Sequence, residues 1–307
     1  MNMKAIRVIS PCMIILASIT LTACGESDLI ELQERQLGVA RYAAAQAELG
    51  QATAVSPEQG VDLSLYNLVF SDEFQSEVLD STKWNTALTW GPDLVVYNQM
   101  QYYIDVQNSP DFGYNPFILD GGILKISAVE TPDALRSAAN EQPWLSGVLT
   151  TADKFDFTYG YVEARVDLQA GRGLWPAFWM LSSEFVDLKP ELFVMENDGS
   201  RQNSIFHNYN YTDLDGNLRS PGQWEVTSTE FSEGFQNVGV AWSPQELLFY
   251  INGVARYRIV GENVSSQNMY LILSLAVGGV WPGAPDGTTP VPAEMLVDYV
   301  RIYQRND

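Results

Sequence analysis

From residue 65 onward the chain breaks into short apolar or alternating runs separated by Gly, Pro, Asn and Asp. Leu68-Val69-Phe70, Ile123-Leu124-Lys125-Ile126, Tyr161-Val162-Glu163-Ala164-Arg165-Val166, Leu247-Leu248-Phe249-Tyr250-Ile251 and Met295-Leu296-Val297-Asp298-Tyr299-Val300-Arg301-Ile302-Tyr303 have strand length and strand composition. Short strands at this spacing predict an all-β sandwich of two antiparallel sheets. Asn252-Gly253 lies between Tyr250-Ile251 and Val254-Ala255 and predicts a two-residue hairpin, because Asn and Gly tolerate the positive φ that such a turn demands. Ahead of this region the pattern is helical. Residues 28–49 carry an N-cap at Asp28, Glu31 three residues on, an Ala-rich body at 43–47 and a stop at Gly50. Residues 51–64 read as linker, which makes the helix either a stalk, the preferred reading, or an element docked on the sandwich.

The first residues have a third character. Lys4 and Arg7 precede an apolar run centred on Cys12-Met13-Ile14-Ile15-Leu16-Ala17, and Leu21-Thr22-Ala23-Cys24 follows. This is the layout of a signal peptide. The run is about 15 residues, short of the ~20 that a transmembrane helix needs. The small residues before Cys24 resemble a bacterial lipobox, which implies cleavage ahead of Cys24 and acylation of the new terminus. Several acyl chains hold a membrane stably where one does not. The predicted organisation is a leader at 1–23, a lipidated Cys24 with helix and linker at 24–64, and one domain at 65–307. Gly25, not Asp, after Cys24 favours an outer membrane if the cell has one, so the expected location is the bacterial envelope, outside the cytoplasm.

Composition narrows the function. Cys12 leaves with the leader and Cys24 is lipidated, so the folded part holds no thiol nucleophile, disulfide or cysteine metal site. Acidic residues outnumber basic ones 38 to 17, for a net charge of −21. That charge opposes nucleic acid and anionic glycans and leaves a neutral polysaccharide as the expected macromolecular partner.

Glu191 and Glu196 stand five apart in Pro190-Glu191-Leu192-Phe193-Val194-Met195-Glu196. On a regular strand they would face opposite ways. A one-residue bulge around Val194-Met195 would restore the phase and put Glu191, Phe193 and Glu196 on one face, and bulges concentrate beside active sites. Two carboxyls over one cleft suit a retaining glycosidase. On spacing alone, two glutamates on a solvated strand remain the ordinary alternative.

The surrounding text decides between them. Phe70-Ser71-Asp72-Glu73-Phe74, Gln101-Tyr102-Tyr103, Ser146-Gly147-Val148-Leu149-Thr150-Thr151, Phe155 to Arg165, Gly173-Leu174-Trp175-Pro176-Ala177-Phe178-Trp179-Met180-Leu181, Leu275-Ala276-Val277-Gly278-Gly279, Trp281-Pro282-Gly283 and Val297 to Tyr303 together resemble the laminarinase-like branch of glycoside hydrolase family 16. The resemblance implies a concanavalin-like β-jelly roll and endo-acting, retaining cleavage of β-linked glucan, with no cofactor required for catalysis. It casts Glu191 as nucleophile and Glu196 as acid/base. It places Trp175 and Trp179 in the cleft, with Asn98, Trp281, Phe193 and His207 as further sugar-facing positions, although His207 could equally be a structural residue. It also implies a structural calcium on the convex side, held by Glu73, a backbone carbonyl near Gly122, and Asp298.

Several positions depart from the family text. Phe193 replaces the Asp of Glu-x-Asp-x-x-Glu, Gln99 and Val148 stand where Glu and Arg are common, and Phe235-Gln236 replaces Phe-His. Phe193 cannot hydrogen-bond the nucleophile, and its ring is expected to desolvate both glutamates. Restoring the acid with Phe193→Asp is therefore expected, at this level, to raise the rate. An enzyme is the leading expectation; a glycan-binding protein with impaired catalysis and an envelope transglycosylase are the alternatives. Gly278-Gly279 has neither the Lys nor the helix of a phosphate loop and reads as a turn.

Overall fold

The computed structural model describes residues 60–186 and 189–306. The leader, Cys24, the helix predicted at 28–49 and all but the end of the linker lie outside the described residues. Every run named above as a strand falls within one.

The strands form two sheets. The larger runs in the order Val254–Val260, Glu246–Ile251, Gln236–Ser243, Gly160–Leu168, Ala293–Arg305, Ile123–Glu130, Trp144–Ser146, Gln101–Tyr103, with Tyr66–Asp72 also paired to Ala293–Arg305 and Phe117–Asp120 to Ile123–Glu130. The smaller runs Leu218–Arg219, Ser204–Thr212, Lys189–Glu196, Leu174–Val186, Met269–Val277, Val148–Thr150, with Gly222–Val226 also on Ser204–Thr212. Pairing is antiparallel except between Gln101–Tyr103 and Trp144–Ser146. This is the β-jelly-roll sandwich that the sequence predicted. Asn252 and Gly253 both have positive φ, +51° and +75°, as the two-residue hairpin requires.

Alternation builds the core. Val162, Ala164, Val166 and Leu168 of the larger sheet point inward and meet Leu192, Val194, Met195, Leu271, Leu273 and Leu275 of the smaller one. Each fully buried Val, Leu or Met among them contributes about 1.5–3 kcal/mol of transfer free energy. The intervening residues face outward. On the larger sheet these are Tyr161, Glu163, Arg165, Asp298 and Arg301; on the smaller they include Trp175, Trp179 and the two glutamates.

The outward carboxylates of the larger sheet bear on the calcium expectation. Glu73 receives both arms of the Arg301 guanidinium, at 2.9 and 2.7 Å. Asp298 is ion-paired to Arg165, and the Gln75 amide lies directly against the α-carbon of Gly122, where a Cβ would meet it at 2.2 Å. Glu73 and Asp298 are thus each neutralised by a different arginine, and no cluster of three acidic, His or Cys side chains occurs among the described residues. The oxygens expected to hold a calcium ion at Glu73 and Asp298 are therefore engaged in ion pairs, Glu73 through both oxygens and Asp298 through Oδ2.

Candidate active site

The strand Lys189–Glu196 lies between Leu174–Val186 and Ser204–Thr212, and both ladders break at the same place. Against the first, Glu191, Phe193 and Glu196 pair with Leu181, Trp179 and Ala177, leaving Val194 without a counterpart. Against the second they pair with Asn210, Asn208 and Phe206. Val194 is the extra residue of a bulge, placed where the spacing of the glutamates demanded one. It turns Leu192, Val194 and Met195 into the core and puts Glu191, Phe193 and Glu196 together on the outer face. The glutamates stand opposite residues four apart on a straight strand, an α-carbon separation of about 13 Å. Two glutamate side chains can close that to the ~5–5.5 Å of a retaining pair.

Burial and partners distinguish the two acids. Glu196 is 2% exposed and Glu191 is 7%. The Trp175 indole N–H donates to Glu196 Oε1 at 3.0 Å. Asn210 Nδ2 donates to Glu191 Oε2 at 2.9 Å. Burial pushes the Glu196 carboxyl up to about 8; the Trp175 bond opposes the shift and the nearby Glu191 charge reinforces it. Desolvation leads because one indole donor cannot replace the hydration shell of a carboxylate.

Aromatic rings surround both acids. Phe193 lies flat against Trp179, with centroids 5.2 Å apart and planes 10° from parallel. Trp179 in turn joins a cluster with Val148, Leu181, Tyr270, Ile272, Leu88 and Trp90. Two departures from the family text, Phe193 and Val148, therefore belong to one apolar floor on the Glu191 side. Around Glu196, Trp175 packs on Trp281 at 5.3 Å, Trp281 stacks on Trp224 at 5.2 Å, and Arg201 lies over Trp224 at 4.8 Å. Tyr97 approaches Trp175 at 6.2 Å, which places the exposed Asn98 on a loop at this end of the face. That loop adjoins the Gly278–Gly279 turn, where Gln99 bridges to Gly278 and both glycines have positive φ.

His207 is not part of this face. Phe206, Asn208 and Asn210 face outward with the glutamates, so alternation sends His207 inward with Ile205 and Tyr209. It is fully buried, its ring lies 4.7 Å from Phe249, and burial pushes its pKa down to about 4. Its Nδ1 lies 2.6 Å from the carbonyl oxygen of Val194, so the nitrogen must donate. That bond satisfies the carbonyl of the bulged residue, and the histidine contributes to the site from behind.

The residues that sequence reasoning missed are Asn210, Asn208, Ser220, Phe206 and Trp224. The alternation Asn208-Tyr209-Asn210 held the signal for two of them, since one face of that strand is polar. Its phase could not be assigned without the register to Glu196.

Comparison with known proteins agrees with this geometry. The family model described as "Glycosyl hydrolases family 16" matches residues 85–301. "Endo-1,3-1,4-beta-glycanase ExsH" of Rhizobium meliloti is 31% identical over 250 residues, covering 79% of this chain and 53% of its own length. "Beta-glucanase" of Rhodothermus marinus is 30% identical over 267 residues, covering 78% of this chain and 85% of its own. The solved endo-beta-1,3-glucanase from Pyrococcus furiosus superimposes with a TM-score of 0.66 at 28% identity, covering 82% of this chain and all of that one. The chain spans about half the length of the first of these relatives.

Proposed function

The chain belongs to glycosyl hydrolases family 16, and on that premise we propose that it is a retaining endo-glycosidase hydrolysing β-1,3- or mixed β-1,3/1,4-linked glucan. The observation that carries this reading is the bulge at Val194, which brings Glu191 and Glu196 onto one aromatic-lined face. Glu196 is neutral at pH 7, as a general acid must be before it can give up a proton. It protonates the glycosidic oxygen while Glu191 attacks the anomeric carbon, forming a covalent glycosyl-enzyme and releasing the leaving chain. Glu196, now anionic in the same dry setting, is a strong base; it takes a proton from water, which attacks the anomeric carbon and frees Glu191. The raised proton affinity of Glu196 serves both halves of the cycle. The reaction as written calls for no metal or cofactor.

The substrate class draws on two further facts. Similar proteins carry the names endo-1,3-1,4-beta-glycanase and beta-glucanase, and a chain of net charge −21 favours neutral glycans over anionic ones. The partly exposed Trp179, Phe193 and Trp281 supply the aromatic surface for pyranose rings, Trp175, only 5% exposed, backs Glu196 from beneath, and Asn98 offers an amide at the rim. We place the protein in the bacterial envelope, outside the cytoplasm and anchored through acylated Cys24, on the strength of the leader, the lipobox-like residues and Gly25.

The test is release of reducing ends from laminarin, mixed-linkage β-glucan and a galactan panel by the soluble domain, alongside Glu191→Gln and Glu196→Gln. Wild type should cleave the first two, with the β-anomer appearing first in the ¹H NMR spectrum of the products. Binding without release above either variant would overturn the enzyme reading. An α-anomer formed first would overturn retention.

A further inference from the structure

The Asn210 amide reaches the carboxylate assigned above as nucleophile, and its surroundings fix which end of the amide does so. Asn210 Nδ2 lies 2.9 Å from Glu191 Oε2. The opposite end of the same amide, Oδ1, accepts from the Ser220 hydroxyl and lies 3.4 Å from Asn208 Nδ2. Ser220 Oγ is also 3.3 Å from Asn208 Oδ1, so the two amides and the hydroxyl form one closed network. Ser220 and Asn208 are buried, at 6% exposure each. An amide whose oxygen is already occupied by a hydroxyl presents its NH₂ to the carboxylate; rotated by 180°, it would set oxygen against oxygen.

The backbone makes this arrangement rigid. Asn210 pairs directly across the ladder from Glu191, and Asn208 from Phe193. Ser220 approaches from the segment leading into Gly222–Val226, whose Pro221 carbonyl accepts from the Tyr209 N–H at 3.0 Å. Phe193, next to Glu191 on the same face, has no polar atom to offer. We propose that Asn210 is a positioning residue for Glu191: its amide, oriented by Ser220, holds the carboxylate in place for attack on the anomeric carbon. The inference rests on the glycosidase reading above and extends it to residues that neither the family resemblance nor the comparisons assign.

Positioning acts on the chemical step and leaves ground-state binding alone, so it should show as a split between kcat and KM. In the full chain, Asn210→Ala should lower kcat on mixed-linkage β-glucan by about tenfold with KM within twofold of wild type. Ser220→Ala, which frees the amide to rotate, should do the same to a smaller extent, and Asn210→Asp, which sets a second carboxylate against Glu191, should lower kcat furthest. An unchanged kcat in Asn210→Ala, or a rise in KM alone, would overturn the proposal; the latter would make Asn210 a sugar-binding group. A readout free of turnover is the side-chain amide ¹H–¹⁵N resonance pair of Asn210, assigned with Asn210→Ala. It should move in Glu191→Gln and in Ser220→Ala even if wild type hydrolyses nothing, and an amide pair unmoved by both would refute Asn210's role on its own. Inactivity of wild type would instead count against the glycosidase reading.

Discussion

The two outer faces of the sandwich treat carboxylates in opposite ways. On the larger sheet Glu73 sits in the fork of Arg301, Asp298 pairs with Arg165, and Glu163 accepts from the hydroxyls of Tyr161 and Tyr299, both at 2.7 Å. On the smaller sheet Glu196 has one indole N–H and a second carboxylate nearby. The first set is paired with cations or hydroxyls and partly solvated, an arrangement worth little to stability and inert in chemistry. The second is dry and under-compensated, so it holds its proton into the alkaline range. Composition alone does not separate a structural acid from a reactive one on this fold; what decides it is whether the neighbouring strand supplies cations or rings.

The sharpest way to break this contrast is Glu196→Gln. Activity should fall by about 10²–10⁴-fold, the usual loss when a general acid is removed. Stability should move the other way. The folded-state affinity of Glu196 for its proton is raised, to about 8 from an ordinary 4.5, so the cost of burying its charge is absent below pH 4.5 and accrues fully only above pH 8. The variant should therefore melt with wild type at pH 4.5 and above it at pH 8.5, by an amount on the order of 2–4 kcal/mol. Equal melting at both values would mean that Glu196 is better solvated than its burial implies.

Phe193→Asp is next in size. The sequence suggested that restoring an acid there would speed the reaction. The structure reverses that expectation, because Phe193 is stacked on Trp179 and Asn210 already holds Glu191. A third carboxylate would break a ring pair worth ~0.5–1.5 kcal/mol and add like charge between two acids, so kcat/KM should drop by roughly tenfold. A gain would show that the apolar floor is a defect, not an adaptation. The smallest effect belongs to the other face: Glu73→Gln should leave activity within twofold and cost at most about 1 kcal/mol, read as a Tm shift of a few degrees or less.

Much of this was legible in the sequence because local rules and the tertiary structure agree. Asn252-Gly253 could hardly be anything but a hairpin, and the out-of-phase glutamates required a bulge whichever family they came from. The readings left open or missed were those whose answer depended on a partner strand. His207 faces inward because Phe206 pairs with Glu196, a register that nothing in Phe206-His207-Asn208 discloses. Glu73 and Asp298 are ion-paired to Arg301 and Arg165, which lie far away in sequence and which the acidic positions alone do not disclose. Asn210 escaped notice because its role comes from Ser220, ten residues on and across a turn. Phe193 read as the loss of a hydrogen bond, and only its plane against Trp179 revealed what stands there in its place.

The claim on which the rest depends is that Glu196 keeps its proton at neutral pH because its surroundings are dry. The pH dependence of kcat/KM on mixed-linkage β-glucan tests it directly, since activity must vanish as the acid of the free enzyme ionises. The expected profile holds through pH 7 and falls along a basic limb with its midpoint near 8. A limb with its midpoint at 5–6, leaving the enzyme idle at pH 7, would contradict it.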